Sequence, residues 1–156
     1  MRLGKRLALD VGKVRIGVAV CDSECILSTP LEAIKRSSDL SKTIAAISSL
    51  VDDLQVLEVY IGEPVSLGGQ ATESTQDARA VATELARNVS APVRMVDERF
   101  TTVSAAAKLR SAGLSTREAK SHIDSASAVE ILEMALRLER SSGQEPGTRI
   151  GSIDGP

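Results

Sequence analysis

Two short apolar segments joined by a glycine-containing turn, near the start of this 156-residue chain, place the strongest constraint on its fold. Residues 6–10 and 15–21 are short apolar runs, which is typical of buried strands, and Gly12 lies in the turn between them. A third strand is expected over residues 25–34. Three consecutive strands with tight connections predict an antiparallel meander.

The rest of the chain alternates between helical and strand-like segments. The apolar runs 56–61 and 92–96 predict buried strands. Helices are predicted over residues 39–54, with Ser38 or Asp39 as the N-cap, and over residues 72–88, 102–112 and 122–140. A meander followed by alternating helices and strands predicts an α/β domain in which helices pack on a mixed sheet.

The hydrophobic fraction of 42% is enough for one cored domain, which we expect to span residues 1–140. Residues 141–156 contain four Gly, two Pro and three Ser with only two large apolar residues, so they predict a disordered tail. Residues 62–70, with three glycines and a proline, predict a flexible flap near the cleft. They lack the order G-x-x-x-x-G-K-[ST] that a nucleotide P-loop requires.

The distribution of charge is more informative than its sum. The formal net charge is -2, yet residues 1–20 and residues 99–120 each carry a local charge of +4, counting one acidic against five basic residues. If the fold brings the two segments together, they form a basic patch for a polyanionic partner. Tyr60 and Phe100 are the only aromatic residues, which excludes a surface that stacks successive bases on aromatic rings.

The cysteines and the N-terminus indicate a cytoplasmic protein. Cys21 and Cys25, with the single His122 far away in the sequence, do not make a zinc-binding set and are expected to be free thiols. Asp10 interrupts the N-terminal apolar run, so this run predicts neither a signal peptide nor a membrane span.

Four acidic residues stand where structure alone does not require them. Asp10 ends one predicted strand, and Asp97 and Glu98 end another, while Asp124 shares a helical stripe with apolar residues. Each has an ordinary alternative: a turn for Asp10, an N-cap for Asp97 and Glu98, and a capping box with Ser121 for Asp124. Together, however, they predict a carboxylate cluster that requires Mg²⁺ or Mn²⁺ to neutralise it.

Such a cluster would support two-metal hydrolysis of a phosphodiester bond. Lys13, Arg15 and Arg99 flank the acidic positions and are candidates for binding the phosphates of a nucleic acid, although each alone is more often a solvated surface charge.

The sequence resembles a known family, the YqgF family of precursor-rRNA nucleases, also described as Holliday-junction-resolvase-like proteins. The resemblance covers residues 6–140 and is carried by four segments: L-D-V-G-K-V-R-I-G-V-A at 9–19, G-E-P at 62–64, V-D-E-R-F-T-T at 96–102 and I-D-S-A-S-A at 123–128. It implies an RNase H-like fold with a five-stranded mixed sheet, and a metal-dependent nuclease that matures the 5′ end of 16S rRNA.

The resemblance also assigns residues. It implies that Asp10, Glu98 and Asp124 are the catalytic, metal-binding triad, with Asp97 as a fourth carboxylate, and that Arg15 and Arg99 lie near the phosphate. Two positions depart from the family pattern. Glu63 replaces the leucine of a Gly-Leu-Pro block and adds a negative charge near the cleft, and Ser127 replaces an alanine.

Three alternatives stay open from the sequence. The substrate is precursor rRNA or branched DNA, since both predict the same triad, and the protein is a monomer or a homodimer. An ATP-binding phosphotransferase of the actin and sugar-kinase type also begins with Asp-x-Gly on its first strand, but it needs two such domains and this chain is long enough for one. A catalytically silent nucleic-acid-binding module is the third alternative.

Overall fold

The fold is one mixed sheet with helices on both faces. The computed structural model describes residues 1–66, 68–100 and 116–151, and for residues 100 and 116–124 it describes the backbone alone. The strands in chain order are β1 (Arg6–Val11), β2 (Arg15–Cys21), β3 (Ser28–Lys35), β4 (Glu58–Glu63), β5 (Val93–Asp97) and β6 (Thr148–Arg149). The described helices are α1 (Leu40–Leu54), α2 (Glu73–Asn88) and α3 (Thr116–Ser142).

The sheet order is β3-β2-β1-β4-β5-β6. β1 pairs antiparallel with β2, and β2 with β3, which confirms the predicted meander. β4 lies parallel to β1, and β5 lies parallel to β4, so the carboxyl ends of β1, β4 and β5 lie at one edge of the sheet. A functional site is expected at this edge, because the connections that follow parallel strands start there.

Alternation along β1 builds a core on each face of the sheet. Leu7 and Leu9 belong to the cluster that also contains the buried apolar residues of α1 and α2. Ala8 belongs to a second cluster, which contains Ala128 and Ile131 of α3. Since successive side chains in a strand point to opposite faces, Asp10 is on the α3 face with Ala8.

The ends of α1 and α2 confirm the predicted helices. Asp39 caps α1, and its side chain accepts a hydrogen bond from the Ser41 amide at 3.0 Å. Thr72 caps α2 in a capping box with Thr75. The predicted helix over residues 102–112 lies outside the described residues.

Helix α3 extends further than the sequence predicted. It includes Thr116, six residues before the predicted start at residue 122, because the polar segment before it has no apolar periodicity to reveal a helix. Ser121 therefore lies inside the helix, so the alternative in which it forms a capping box with Asp124 is wrong. Leu138 is 42% exposed, whereas Ala128, Ile131 and Ala135 are buried as predicted.

The predicted disorder of residues 141–156 is wrong up to residue 151. Helix α3 continues to Ser142, and β6 then pairs antiparallel with β5. The Arg94 guanidinium donates to the carbonyl oxygens of Pro146 at 2.5 Å and Gly147 at 3.0 Å. Backbone pairing with β5 and hydrogen bonds from Arg94 thus hold a segment that has few apolar residues. As a result, the sheet has six strands where five were predicted. Residues 152–156 lie outside the described part of the chain.

Two predicted strand boundaries shift. The Asp22 carboxylate accepts hydrogen bonds from the amides of Glu24, Ile26 and Leu27, and this turn delays β3 to Ser28 where the prediction began at residue 25. β4 starts at Glu58, two residues after the predicted start. Within the described residues, no helix has the length and apolar character that a membrane span needs.

Candidate active site

Asp10 lies near the carboxyl end of β1, between two glycines of the neighbouring strands. Gly17 of β2 is its direct partner in the antiparallel register. On the other side, Leu9 pairs with Ile61, so Asp10 is beside Gly62 of β4. Because both neighbours lack a side chain, the Asp10 carboxylate has room on the α3 face. These glycines are part of the site, and the sequence reasoning about acidic residues did not identify them.

Glu98 reaches the same place from β5, directly after the strand ends. Its side chain occupies the space that the missing side chain of Gly62 leaves. A Cβ atom on Gly62 would lie 2.4 Å from the Glu98 Oε1 atom and 2.5 Å from the Ile131 Cδ1 atom. Only glycine at position 62 allows Glu98 to fit between β4 and α3, so the fold places the carboxylates of Glu98 and Asp10 next to each other.

The two carboxylates interact strongly. Burial, then the charge of Asp10 and a side-chain hydrogen bond with it, raise the pKa of Glu98 from its ordinary value of 4.5 to about 8, and Asp97 adds a smaller repulsion. Two adjacent carboxylates share a proton in this way when no cation is bound, because both cannot ionise without repulsion. The pair is therefore a site at which a divalent cation would displace a proton.

Replacing Gly62 tests this packing. We expect Gly62→Ala to lower activity roughly 10- to 100-fold, since the methyl group must displace Glu98, and to cost about 1–3 kcal/mol of stability from overpacking. Gly68→Ala is the matched control, because the one described atom that a Cβ there would contact is the Ser66 hydroxyl, at 3.9 Å. Cleavage rates and thermal melts of both variants would be compared, and a Gly62→Ala enzyme as active as Gly68→Ala would contradict this packing.

Asp97 does not join the pair. Its carboxylate binds the Arg99 side chain, with the Asp97 Oδ2 atom 2.6 Å from Arg99 Nη2, and this interaction lowers the pKa of Asp97. Of the two acidic residues at the end of β5, Glu98 is thus the one beside Asp10. The sequence alone left that choice open, since both residues follow the same strand.

Asp124 lies in α3, and its side chain is outside what the structure describes. The position of its backbone is fixed by the next residue: the Ser125 hydroxyl accepts a hydrogen bond from the Val18 amide at 3.2 Å. Val18 pairs with Leu9, the residue before Asp10. Position 124 therefore belongs to the part of α3 that passes over the carboxyl end of β1.

Among the residues with described side chains, no three His, Cys, Asp or Glu groups lie close enough together to hold a metal ion. If a metal ion binds to the Asp10 and Glu98 pair, it takes a further ligand from elsewhere, and Asp124 stays the predicted one.

Of the predicted basic residues, Lys13 and Arg15 belong to the β1–β2 hairpin beside Asp10. Arg15 starts β2 and is on the face of Asp10, because it lies two residues before Gly17. Lys13 is exposed in the turn. Arg2 and Arg6 do not add to a basic patch there. They lie at the opposite end of β1, where they pair with the Glu139 carboxylate.

The unusual Glu63 is neutralised within the fold. Its Oε2 atom accepts a hydrogen bond from the Nε atom of Arg79 in α2 at 2.6 Å. The extra negative charge that distinguishes the G-E-P segment is therefore balanced by a cation, and Arg79 is a partner that the sequence analysis did not identify.

Comparisons with known proteins show which family this chain is similar to. A family model described as "RuvX: Holliday junction resolvase" matches residues 4–138. A protein of Streptomyces avermitilis is 45% identical over 151 residues, which is 96% of each chain. A protein of Leifsonia xyli subsp. xyli is 44% identical over 156 residues and covers 100% of both chains. Both relatives are described as "Putative pre-16S rRNA nuclease".

Solved structures support the fold. A chain described as "T. thermophilus RuvC in complex with Holliday junction substrate" matches with a TM-score of 0.60 and 16% identity, over 91% of this chain and 98% of that chain. A further Thermus thermophilus RuvC structure matches with a TM-score of 0.59 and 15% identity, over 91% and 99% of the two chains. At this level of identity the likeness concerns the fold alone, and it confirms the predicted RNase H-like architecture.

Proposed function

This chain belongs to the RuvX family, named the YqgF family above, and on that premise we propose that it is a metal-dependent nuclease that processes the 5′ end of pre-16S rRNA. The observation that carries the proposal is the pairing of Asp10 with Glu98 in the space beside Gly62. Two carboxylates held together at the carboxyl ends of parallel strands have no structural purpose that an uncharged pair would not serve better.

The residues fit a divalent cation. The site offers carboxylate oxygens, which Mg²⁺ and Mn²⁺ prefer. Burial and the neighbouring Asp10 carboxylate raise the pKa of Glu98, so a cation placed between the two groups would reduce their repulsion. Asp10, Glu98 and Asp124 would hold the ions, with nearby basic side chains binding the substrate backbone. When bound, two ions would supply Lewis-acid activation of the attacking water and of the leaving oxygen.

The chain's own residues supply the remaining requirements. Arg15 is on the face of Asp10, where its guanidinium can bind a phosphate oxygen of the substrate. Gly62 leaves room for Glu98 beside Asp10. Gly17, on the other side of Asp10, has no side chain, so that a phosphodiester backbone can approach there. With few aromatic residues, the protein would recognise the shape and backbone of a folded RNA more than its bases.

Cleavage assays test the proposal. The protein would be incubated with Mg²⁺ or Mn²⁺ and either precursor 16S rRNA or a synthetic four-way DNA junction, with Asp10→Asn as the inactive control. We expect cleavage of the rRNA at its 5′ end that the control lacks. Cleavage of the junction alone would instead favour the activity that the family model describes, and binding of either substrate without cleavage would favour a silent binding module.

Thermal stability provides a separate test of the metal site. The pKa of Glu98 is higher in the folded protein than its ordinary 4.5, so the proton it takes up on folding stabilises the metal-free protein at low pH. This contribution is lost as the pH rises from about 4.5 through about 8.

We therefore expect the melting temperature without metal to fall over that range in the wild type and to change less in Glu98→Gln. Mg²⁺ should stabilise the wild type more at about pH 9 than at about pH 5, because at low pH it competes with the shared proton. Equal stabilisation by Mg²⁺ at both pH values would count against a metal at this pair.

A further inference from the structure

We propose that Asp97 acts on the reaction through Arg99, as a positioning residue that fixes the guanidinium between the end of β5 and the loop at Gly69, and that it is not a metal ligand. The role given to Asp97 in the reaction rests on the proposed nuclease function. It assigns different tasks to two adjacent acidic residues, since Glu98 is next to Asp10 whereas Asp97 is occupied by an arginine.

The Asp97 carboxylate accepts four hydrogen bonds from Arg99. The Arg99 Nε atom donates to the Asp97 Oδ1 and Oδ2 atoms at 3.1 and 3.0 Å, and Arg99 Nη2 donates to Oδ2 at 2.6 Å. The Arg99 backbone amide adds a hydrogen bond to Oδ1 at 2.9 Å. A carboxylate that accepts both a guanidinium fork and a backbone amide fixes the plane of the guanidinium as well as its position.

The opposite edge of the guanidinium faces Gly69. A Cβ atom at Gly69 would lie 3.1 Å from Arg99 Nη1, and Gly69 has a φ of +83°, which favours glycine for a second reason. Within the described part of the chain, Nη1 has no hydrogen-bond partner, while Nε and Nη2 are used by Asp97. Nη1 is the guanidinium nitrogen on the Gly69 side, away from Asp97, and in this proposal it is the donor for a phosphate oxygen.

The charges explain why Asp97 would affect catalysis more than binding. Asp97 neutralises Arg99 locally, so the pair attracts a polyanion only weakly at long range. The pair instead supplies a hydrogen-bond donor, the Arg99 guanidinium, whose direction is fixed and which lies one residue after Glu98. If the guanidinium is released, the substrate keeps its affinity but loses a contact that aligns the phosphate with the carboxylate pair.

A double-mutant cycle of Asp97→Asn, Arg99→Gln and the combined variant tests this role. Single-turnover cleavage, substrate affinity in EDTA and the Mg²⁺ concentration for half-maximal rate would be measured for each. We expect Asp97→Asn to slow cleavage roughly 10-fold with its affinity and Mg²⁺ requirement unchanged, and to have no further effect in the Arg99→Gln background. Multiplicative effects, or a Mg²⁺ requirement raised by roughly 10-fold in Asp97→Asn, would overturn the proposal in favour of a metal ligand.

A spectroscopic readout keeps the inference independent of the nuclease activity. The Arg99 Nε–H NMR signal, assigned by its loss in Arg99→Gln, should be slow to exchange with water in the wild type and fast in Asp97→Asn. It should shift when a short RNA duplex is added in EDTA. A wild-type signal that exchanges rapidly, or that ignores the RNA, contradicts the proposed positioning, whereas absence of cleavage with these signals intact contradicts only the proposed nuclease function.

Discussion

Asp10→Asn is expected to lower the cleavage rate at least about 1,000-fold while making the metal-free protein more stable. The loss follows because the amide supplies one neutral oxygen where the proposed metal site needs a carboxylate, and metal ions contribute several kcal/mol to the transition state of such reactions. The gain follows because the asparagine removes the negative charge that repels Glu98, and its NH₂ group can donate a hydrogen bond to that carboxylate.

Opposite changes in activity and stability would identify Asp10 as a residue retained for function at a cost to the fold. Both are measured on the same preparation, by single-turnover cleavage and by thermal melting without metal near pH 8. Asp53→Asn is a suitable control, because Asp53 is exposed on α1 and should leave both quantities unchanged. An active Asp10→Asn enzyme would exclude the proposed mechanism, and a lower melting temperature would exclude the repulsion between Asp10 and Glu98.

The largest effect on stability is expected at the other end of the sheet, from Glu139→Ala. Arg6 is 0% exposed, and its Nη1 atom lies 3.0 Å from Glu139 Oε1. Arg2 Nη2 donates to the same oxygen at 2.6 Å. Without Glu139, Arg6 becomes a buried cation whose remaining hydrogen-bond partners among the described residues are the Tyr60 hydroxyl and a backbone carbonyl, which costs about 3–5 kcal/mol.

The pKa of Glu139 indicates how strongly these arginines stabilise its charge. Burial alone would raise this pKa, but hydrogen bonds from Arg2 and then Arg6 lower it from 4.5 to about 2. The lowered value means that the contribution of Glu139 is present above about pH 4.5 and is lost as the pH falls through about 2.

Urea unfolding near neutral pH would measure the effect, with Glu133→Ala as the control, since Glu133 is an exposed residue of the same helix. The paired replacement Arg6→Met with Glu139→Leu should recover most of the lost stability, because it removes both charges together. A loss below about 1 kcal/mol in Glu139→Ala would mean that Arg6 finds another partner.

Local patterns predicted most of the fold. The apolar runs of β1 and β2 and the capped helices α1 and α2 lie where their sequences indicate, because each forms from residues close in the chain. The errors have two origins, a partner far away in the sequence and a segment without a pattern. The pairing of β6 depends on Arg94, about fifty residues earlier, and the start of α3 lies in a polar segment without periodicity.

The sequence predicted four acidic residues for the candidate site, but it did not predict which of them lie together. The end of a strand marks Asp10 and the Asp97–Glu98 pair from the sequence alone. Which of the latter two faces Asp10 depends on the space left by Gly62, a residue on another strand. For the same reason, the sequence did not reveal which cation neutralises Glu63, since its partner Arg79 lies in α2, a separate element.

The pairing of Arg6 with Glu139 also has a consequence during protein synthesis. The two residues are separated by 133 positions, so β1 leaves the ribosome long before the carboxylate that neutralises its cation exists. At about 5–20 residues per second, the delay is on the order of ten seconds. Throughout that interval the first strand carries an unmatched charge in a position that the folded protein buries, which discourages the nascent chain from closing its core before the last helix is made.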